Sequence, residues 1–273
     1  MKPCEHATPA SRNKLTVDAA FNVWEGVYRG FAEATAIGPG FEGPTWRDRS
    51  LQGAIETLTQ VENGESLDYS LRQRNALLPV VTATILGEQS RVRILDFGGG
   101  LGTGFLVLAS TVSGAAERVD YAVVEVDCIC RSGAELFAGR KGPTFHHQLP
   151  DVAAAADFDI VHAASTIQYI EDWRAMVARL ATYGARYLSL SDIYIGDFPT
   201  YATLQNYYGS RIRHWFLNKG EFVSHVERCG YRLIVHIDCE MKVLGKHGPL
   251  PMNNFPEQLR IRHGSNLLFR KEK

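Results

Sequence analysis

The sequence predicts an α/β fold with a mostly parallel sheet flanked by helices, and three observations lead to it. Residues 92–104 read Val-Arg-Ile-Leu-Asp-Phe-Gly-Gly-Gly-Leu-Gly-Thr-Gly, a β-branched, apolar run passing into a glycine-rich turn. Residues 119–125, Val-Asp-Tyr-Ala-Val-Val-Glu, form a second strand ending in an acid 21 positions after Gly104. Strand and helix patterns then alternate to the end of the chain, as in a parallel sheet with crossover helices.

The elements follow in order. Residues 1–20 are polar and are expected to form a frayed, flexible N-terminus. Phe21, Trp24, Tyr28 and Phe31 fall at three- and four-residue spacing, which predicts a helix within 21–36. Residues 37–46 form a Gly/Pro loop. Leu51–Val61 reads as a helix, and a second lies within Tyr69–Leu86, disturbed at Pro79. Residues 21–86 are thus expected to form a helical cap over a domain spanning 87–273. After the strand at 92–97 come a helix from Leu101 to Ser110 and the strand at 119–125. A helix then covers Cys128–Gly139, and strands follow at Thr144–His146 and Asp159–Ala164. An amphipathic helix over Asp172–Tyr183 ends at Gly184 and leads into a strand at Tyr187–Asp192. After an insertion at about 193–218, Lys219–Cys229 is a helix stopped by Gly230. Strands at Tyr231–Ile237 and Asn266–Arg270 complete seven, a Rossmann-like inventory.

At 273 residues the chain suffices for one large α/β domain and an appendage. Lys plus Arg number 29 and Asp plus Glu 30, so no basic surplus points to nucleic acid or to an anionic membrane. The basic residues near the end (Arg260, Arg262, Arg270, Lys271 and Lys273) read as a solvated tail. No apolar run is long enough to span a bilayer and no signal-peptide pattern is evident, so the expected location is the cytoplasm. Cys4, Cys128, Cys130, Cys229 and Cys239 are odd in number and lack Cys-x-x-Cys spacing, which predicts reduced thiols. The absence of a metal constellation disfavours a Mg²⁺-dependent mechanism.

The glycines at 98, 100 and 102 let the chain turn with no Cβ to obstruct a ligand, and the next helix points free N–H groups at the turn. A carboxylate at Glu125 suits the two hydroxyls of a ribose, capping of the following helix being the alternative. Asp96 precedes the turn, where it would repel a pyrophosphate but favour a ligand with ammonium and sulfonium charges. The run Asp96-x-Gly98-x-Gly100-x-Gly102 resembles motif I of the class I S-adenosylmethionine-dependent methyltransferases. The resemblance implies an acid that orders the loop and a seven-stranded sheet whose last strand inserts antiparallel.

Four further segments resemble one methyltransferase family often found with bacterial surface-polysaccharide or specialised-metabolite genes. These are residues 21–34 around a Trp24-x-Gly26-x-Tyr28 pattern, the Ser-Thr-Ile-Gln-Tyr-Ile run at 165–170, residues 204–208 with 214–218, and Asn254-Phe255-Pro256. Together they span nearly the whole chain after residue 20. Gly30 departs from the pattern by standing where a serine is expected.

The candidate cofactor contacts are Asp96, Gly98, Gly99, Gly100 and Gly102 around the methionine moiety, with Glu125 and Val126 at the ribose. Gln148 and Leu149 are placed at the adenine, and Ala164 and Ser165 at the carboxyl end of the fourth strand. Spacing alone makes Trp24 and Tyr28 core residues, whereas the resemblance implies that they close over the cofactor. His214 is the first choice for a base, because an unperturbed imidazole suits proton removal from a hydroxyl. Asp192 is the second. Gln168, Tyr169, Asp197, Gln205, Asn206, Tyr207 and Trp215 are candidates to orient the acceptor. Surface exposure is the competing reading for His214 and Gln148, and core packing for Tyr169. His162, inside a strand, reads as a core histidine.

These readings predict a methyltransferase that uses S-adenosyl-L-methionine, releases S-adenosyl-L-homocysteine and acts on a small-molecule acceptor, with a homodimer allowed. An oxygen of a sugar-linked or specialised metabolite is the expected target. The alternatives are nitrogen or carbon methylation, a NAD(P)-dependent oxidoreductase, and a non-catalytic module that binds the cofactor or its product. Asp96 and the lack of a Tyr-x-x-x-Lys pair count against the oxidoreductase.

Overall fold

The computed structural model describes residues 21–152 and 157–272, so segment 1–20 lies outside the described residues. In chain order the elements begin β1 (Trp24–Tyr28), α1 (Pro44–Glu62), α2 (Tyr69–Arg74), α3 (Leu77–Leu86) and β2 (Val92–Phe97). Next come α4 (Thr103–Thr111), α5 (Ala115–Arg118), β3 (Val119–Val124), α6 (Asp127–Leu136), β4 (Thr144–His146) and β5 (Ile160–Ala164). After α7 (Trp173–Ala181) and β6 (Tyr187–Ile193), the insertion holds β7 (Ile195–Gly196), β8 (Tyr201–Tyr207) and β9 (Ser210–Asn218). The chain closes with α8 (Lys219–Arg228), β10 (Tyr231–Cys239) and β11 (Gly264–Lys271).

Seven strands form the main sheet in the order β10-β11-β6-β5-β2-β3-β4. The central pairs are parallel, and β11 inserts antiparallel between β6 and β10, as expected. Helices cover both faces, which is why the inner strands are continuously apolar. Ile94 and Val123 pack with Leu78, Ile85, Leu106 and Leu108 of α3 and α4. Their strand neighbours Leu95, Val161 and Leu188 turn the other way, onto Trp173, Val177, Phe222 and Val226 of α7 and α8. The helix boundaries follow local chemistry. Asp68 accepts from the N–H groups of Ser70 and Leu71 at the start of α2, and Asn218 from that of Glu221 in α8. The predicted disturbance in 69–86 falls at Asn75–Ala76, while Pro79 sits in the first turn of α3, where its missing N–H costs nothing.

The front of the chain corrects the helix expected within 21–36. Trp24–Tyr28 is a strand, paired antiparallel with β8 (Trp24 to Gln205, Glu25 to Leu204, Tyr28 to Ala202). A register shift between Glu25 and Tyr28, with Gly26 at φ +80°, gives the aromatics a spacing that imitates a helix. The insertion is a β8–β9 hairpin, and with β1 and β7 it makes a second, four-stranded sheet in the order β1-β8-β9-β7. Period-2 alternation on β9 sends Trp215 and Leu217 into the main core and His214 and Phe216 to the opposite face. Trp215 stacks on Phe31 with ring centroids 4.6 Å apart, and its indole N–H donates to the Ile170 carbonyl at 3.1 Å.

Candidate active site at the carboxyl edge of the main sheet

The turn after β2 is the first component. Gly98 has φ +71°, and a Cβ there would collide with the Thr166 hydroxyl; Gly100 has φ +56° and faces open space. The Gly98 N–H donates to the Val124 carbonyl at 2.9 Å, holding the turn against the end of β3. Asp96 lies below the turn, 2 % exposed, and its Oδ2 accepts from the Tyr121 hydroxyl at 2.7 Å. Among the described residues its Oδ1 has no partner. Burial pushes its carboxyl up to about 7, with the Tyr121 hydrogen bond opposing and the nearby Glu125 charge adding to the rise.

Glu125 follows β3 and reaches back to the same turn. Its Oε1 accepts from the Gly100 N–H at 3.3 Å and its Oε2 from the Val126 N–H at 2.8 Å. Burial raises its pKa, and these two N–H bonds oppose the rise. The Glu125 N–H donates to the His146 carbonyl at 3.0 Å, which brings the end of β4 to the same edge. Beyond it Gln148 is exposed and Leu149 half-buried against the main core.

Ala164 and Ser165 end β5 beside the turn. The Thr166 hydroxyl binds the Ala164 carbonyl at 2.9 Å and reaches the Gly98 carbonyl at 3.3 Å. Ser165 takes a left-handed φ of +54°, and its hydroxyl donates to Asp192 Oδ2. Asp192, at the end of β6, is also left-handed (φ +52°) and 3 % exposed. Its N–H donates to Asn266 Oδ1 at 2.9 Å, and Gln168 Nε2 donates to its carbonyl at 3.0 Å. Among the described residues its Oδ1 has no hydrogen-bond partner and lies against Gly264, and Arg74 Nε forms an ion pair with Oδ2 at 3.6 Å. Burial raises the Asp192 pKa, with Arg74, Ser165 and Tyr194 opposing the rise.

The second sheet, the 37–43 loop and the first turn of α1, which starts at Pro44 inside the loop expected over 37–46, roof this corner. Ile37 exchanges backbone hydrogen bonds with Arg211, and the Gly40 N–H donates to Ser210 Oγ at 3.1 Å. The loop thereby sets Phe41 edge-on to Tyr169 (4.9 Å between centroids) and Tyr207 (5.6 Å). The Tyr169 hydroxyl donates to Gln205 Oε1 at 2.8 Å, and Trp46 Nε1 donates to the Tyr207 hydroxyl at 3.1 Å.

Several expected roles change once these contacts are in view. His214 has no exposed surface and lies among the rings of Trp24, Tyr169, Tyr194 and Phe216, at centroid distances of 5.0–6.0 Å. Neither ring nitrogen has a partner, and burial lowers its pKa to about 3, so it is not an imidazole of ordinary basicity. Trp24 is a core residue of the second sheet, 1 % exposed among Tyr194, Tyr201 and Phe216. The Tyr28 ring folds over Gly26 and lines a surface hollow with Arg29, Glu33 and Pro199. Gln168 is buried and spends its amide on the Asp192 backbone. Asp197 is exposed in the β7–β8 connection, remote in register from Gln205–Tyr207. Asn206 faces away from Gln205 and Tyr207, stapling the chain at Asn22 through its Nδ2 (2.8 Å). Trp215 joins the two sheets. His162 is the expected core histidine, its Nδ1 3.1 Å from Ser189 Oγ and its pKa lowered to about 4 by burial.

Sequence reasoning missed Arg74, Tyr121, Tyr194 and Asn266. Tyr121 is legible in retrospect, since its alternation with Asp120 in β3 points it inward. Arg74 carries no such signal: beside Arg72 at the end of a helix it reads as an ordinary solvated cation.

No protein-family model and no curated protein sequence matches the chain. Solved structures do match in fold. The 1,6-didemethyltoxoflavin-N1-methyltransferase of Burkholderia thailandensis, solved with 1,6-didemethyltoxoflavin and S-adenosylhomocysteine, is 12 % identical. That match has a TM-score of 0.50, covering 87 % of this chain and 94 % of that one. An S-adenosylmethionine-dependent methyltransferase from Clostridium acetobutylicum is 11 % identical, with a TM-score of 0.48 and coverage of 83 % and 99 %. The class defined by the toxoflavin match and the strand order is the Rossmann-like fold of class I methyltransferases.

Proposed function

We propose that the chain is an S-adenosylmethionine-dependent methyltransferase acting on an oxygen of a small polar acceptor, a sugar-linked or specialised metabolite. One observation carries this reading: the Glu125 carboxylate stands at the glycine turn and accepts the Gly100 N–H, so a ribose-binding acid and a backbone cradle share one edge. The residues present fit the cofactor. Gly100 leaves open space above the turn, and the unpartnered, buried Asp96 Oδ1 suits a cationic amino-acid end. The same carboxylate opposes a pyrophosphate, which disfavours a nicotinamide cofactor.

When bound, S-adenosylmethionine supplies a methyl group already activated by its sulfonium charge. The chain's work is to hold, orient and keep dry. The turn from Gly98 to Gly102 with Asp96 holds the methionine end, Glu125 the ribose, and Gln148 and Leu149 the adenine side. Asp192 takes the hydroxyl proton of the acceptor and later returns it to water. Its burial-raised pKa makes it a better base than an exposed aspartate. His214 stays neutral at physiological pH and shapes the wall of the acceptor space with Tyr169. Phe41, Tyr169, Gln205 and Tyr207 close the space against water.

Calorimetric titration with S-adenosylhomocysteine and, separately, NAD tests the reading. S-adenosylhomocysteine binds, and Glu125→Ala weakens it by about tenfold or more, the cost of losing hydrogen bonds to a charged group. A preference for NAD, or no binding of either, overturns the assignment.

A further inference from the structure

We propose that Arg74 binds an oxyanion of the methyl acceptor, which makes the acceptor a hydroxylated small molecule bearing a carboxylate or a phosphate ester. This rests on the methyltransferase reading above. Arg74 ends α2, the helix laid across the carboxyl edge of the main sheet. The Gln73 carbonyl accepts from Asn266 Nδ2 at 2.7 Å, and the Asn75 amide binds the Leu71 carbonyl at 2.9 Å, so the backbone on either side is fixed. The guanidinium is held in place by an ion pair to Asp192, but its hydrogen-bond donors are unspent among the described residues. Its Nε is buried with no hydrogen-bond partner, and its closest acid oxygen, Asp192 Oδ2, stands 3.6 Å away and is already taken by the Ser165 hydroxyl. The side chain keeps 36 % of its surface, and its two Nη atoms make no hydrogen bond to the described residues. A planar fork with unused donors, on a fixed stem, is the geometry that recognises carboxylate and phosphate in two hydrogen bonds.

The neighbours of Arg74 assign the anion to the acceptor and not to the cofactor. The groups that act on its charge are Asp192, Cys239, Tyr194 and Tyr207, from β6, β10, the residue after β6, and β8. None belongs to the glycine turn. Two further buried groups with unpartnered atoms mark the same corner. Asp192 Oδ1 is one; the imidazole of His214, 5.0 Å from Tyr194 and 5.2 Å from Tyr169, is the other. The charges are also consistent. With Arg74 beside Asp192, an anionic acceptor meets a cation before it meets the carboxylate, and proton transfer to Asp192 then leaves Arg74 facing the ligand's charge alone.

The test follows the Arg74 side-chain ¹⁵Nε–¹H resonance, identified by its loss in Arg74→Gln, in protein saturated with S-adenosylhomocysteine. The probes are 4-hydroxybenzoate, glucuronate and glucose 6-phosphate, each against a neutral counterpart (4-hydroxybenzamide or glucose). At least one acid moves the resonance saturably and binds about tenfold or more tighter than its neutral partner; Arg74→Gln abolishes the difference and Arg74→Lys restores part of it. The carboxylate and phosphate arms identify which oxyanion is taken. If no acid outbinds its neutral partner, or the preference survives Arg74→Gln, the proposal fails. A fall in S-adenosylhomocysteine affinity in Arg74→Gln, matched by unchanged thermal unfolding, also overturns it, because Arg74 would then serve the cofactor's own carboxylate. Failure of S-adenosylhomocysteine to bind the unmodified protein instead sinks the underlying methyltransferase reading.

Discussion

Asp96 sets stability against binding. A carboxyl raised from 3.8 to about 7 contributes least cost below pH 3.8, and the fold loses stability as pH rises toward 7 and the buried group ionises. Asp96→Asn removes that cost, so the ligand-free protein should be more stable at pH 8, while S-adenosylhomocysteine binding weakens for want of the negative charge. Denaturant unfolding and calorimetry on the same variant check both halves; a variant both less stable and unchanged in binding would sink the account. His214 runs the other way in pH. Its folded pKa of about 3 lies below the unfolded 6.5, so the unfolded state gains a proton that the native state refuses as pH falls from 6.5. His214→Phe should keep stability at pH 7, since two unpartnered nitrogens leave the core, and should flatten the loss between pH 6.5 and 4. Some slope remains from His162, lowered to about 4. An unchanged slope in urea titrations at pH 7 and 5 would show that His214 is not the group responsible.

At the scale of elements, the β2–α4 turn is the piece on which binding depends. Gly98 combines a left-handed φ of +71° with the Thr166 hydroxyl in the place of a Cβ. Gly98→Ala therefore meets backbone strain and a collision together, and about 1–3 kcal/mol of stability should go. Because Thr166 also ties the end of β5 to this turn, the damage should reach both walls of the proposed cofactor site. A lowered melting temperature with S-adenosylhomocysteine affinity intact would mean that the turn's shape is not what the ligand reads.

The whole molecule is two sheets locked through one aromatic junction. Trp215 stacks on Phe31, hydrogen-bonds Ile170 and shares a core with β5, β6, α7 and α8. Trp215→Ala should cost about 3–5 kcal/mol, the range for a large aromatic lost from a core. It should also let the second sheet, with Tyr207 and Gln205, shift away from Tyr169. The effect on acceptor KM should then exceed the effect on S-adenosylhomocysteine affinity, because the glycine turn and Glu125 sit on the main sheet. Equal losses in the two would argue against the division of labour between the sheets.

The strands of the main sheet and the edge proposed to hold the cofactor are legible in local stretches of the chain. Residues 92–104 and 119–125 are local signals, a strand running into left-handed glycines and a strand ending in an acid, and each survives into the structure with little change in boundary. Short-range chemistry of that kind is written in neighbouring residues. The remaining features arise from contacts between residues far apart in the chain. Trp24–Tyr28 has helical spacing but becomes a strand because β8, almost 180 residues later, supplies its hydrogen-bond partners. His214 looks like an available base until four rings, three of them from other segments of the chain, bury it. Arg74 looks like a surface cation until β6 brings the Asp192 carboxylate to within 3.6 Å. Burial and unspent hydrogen-bond donors are properties of assembled neighbours, and no spacing within one segment encodes them.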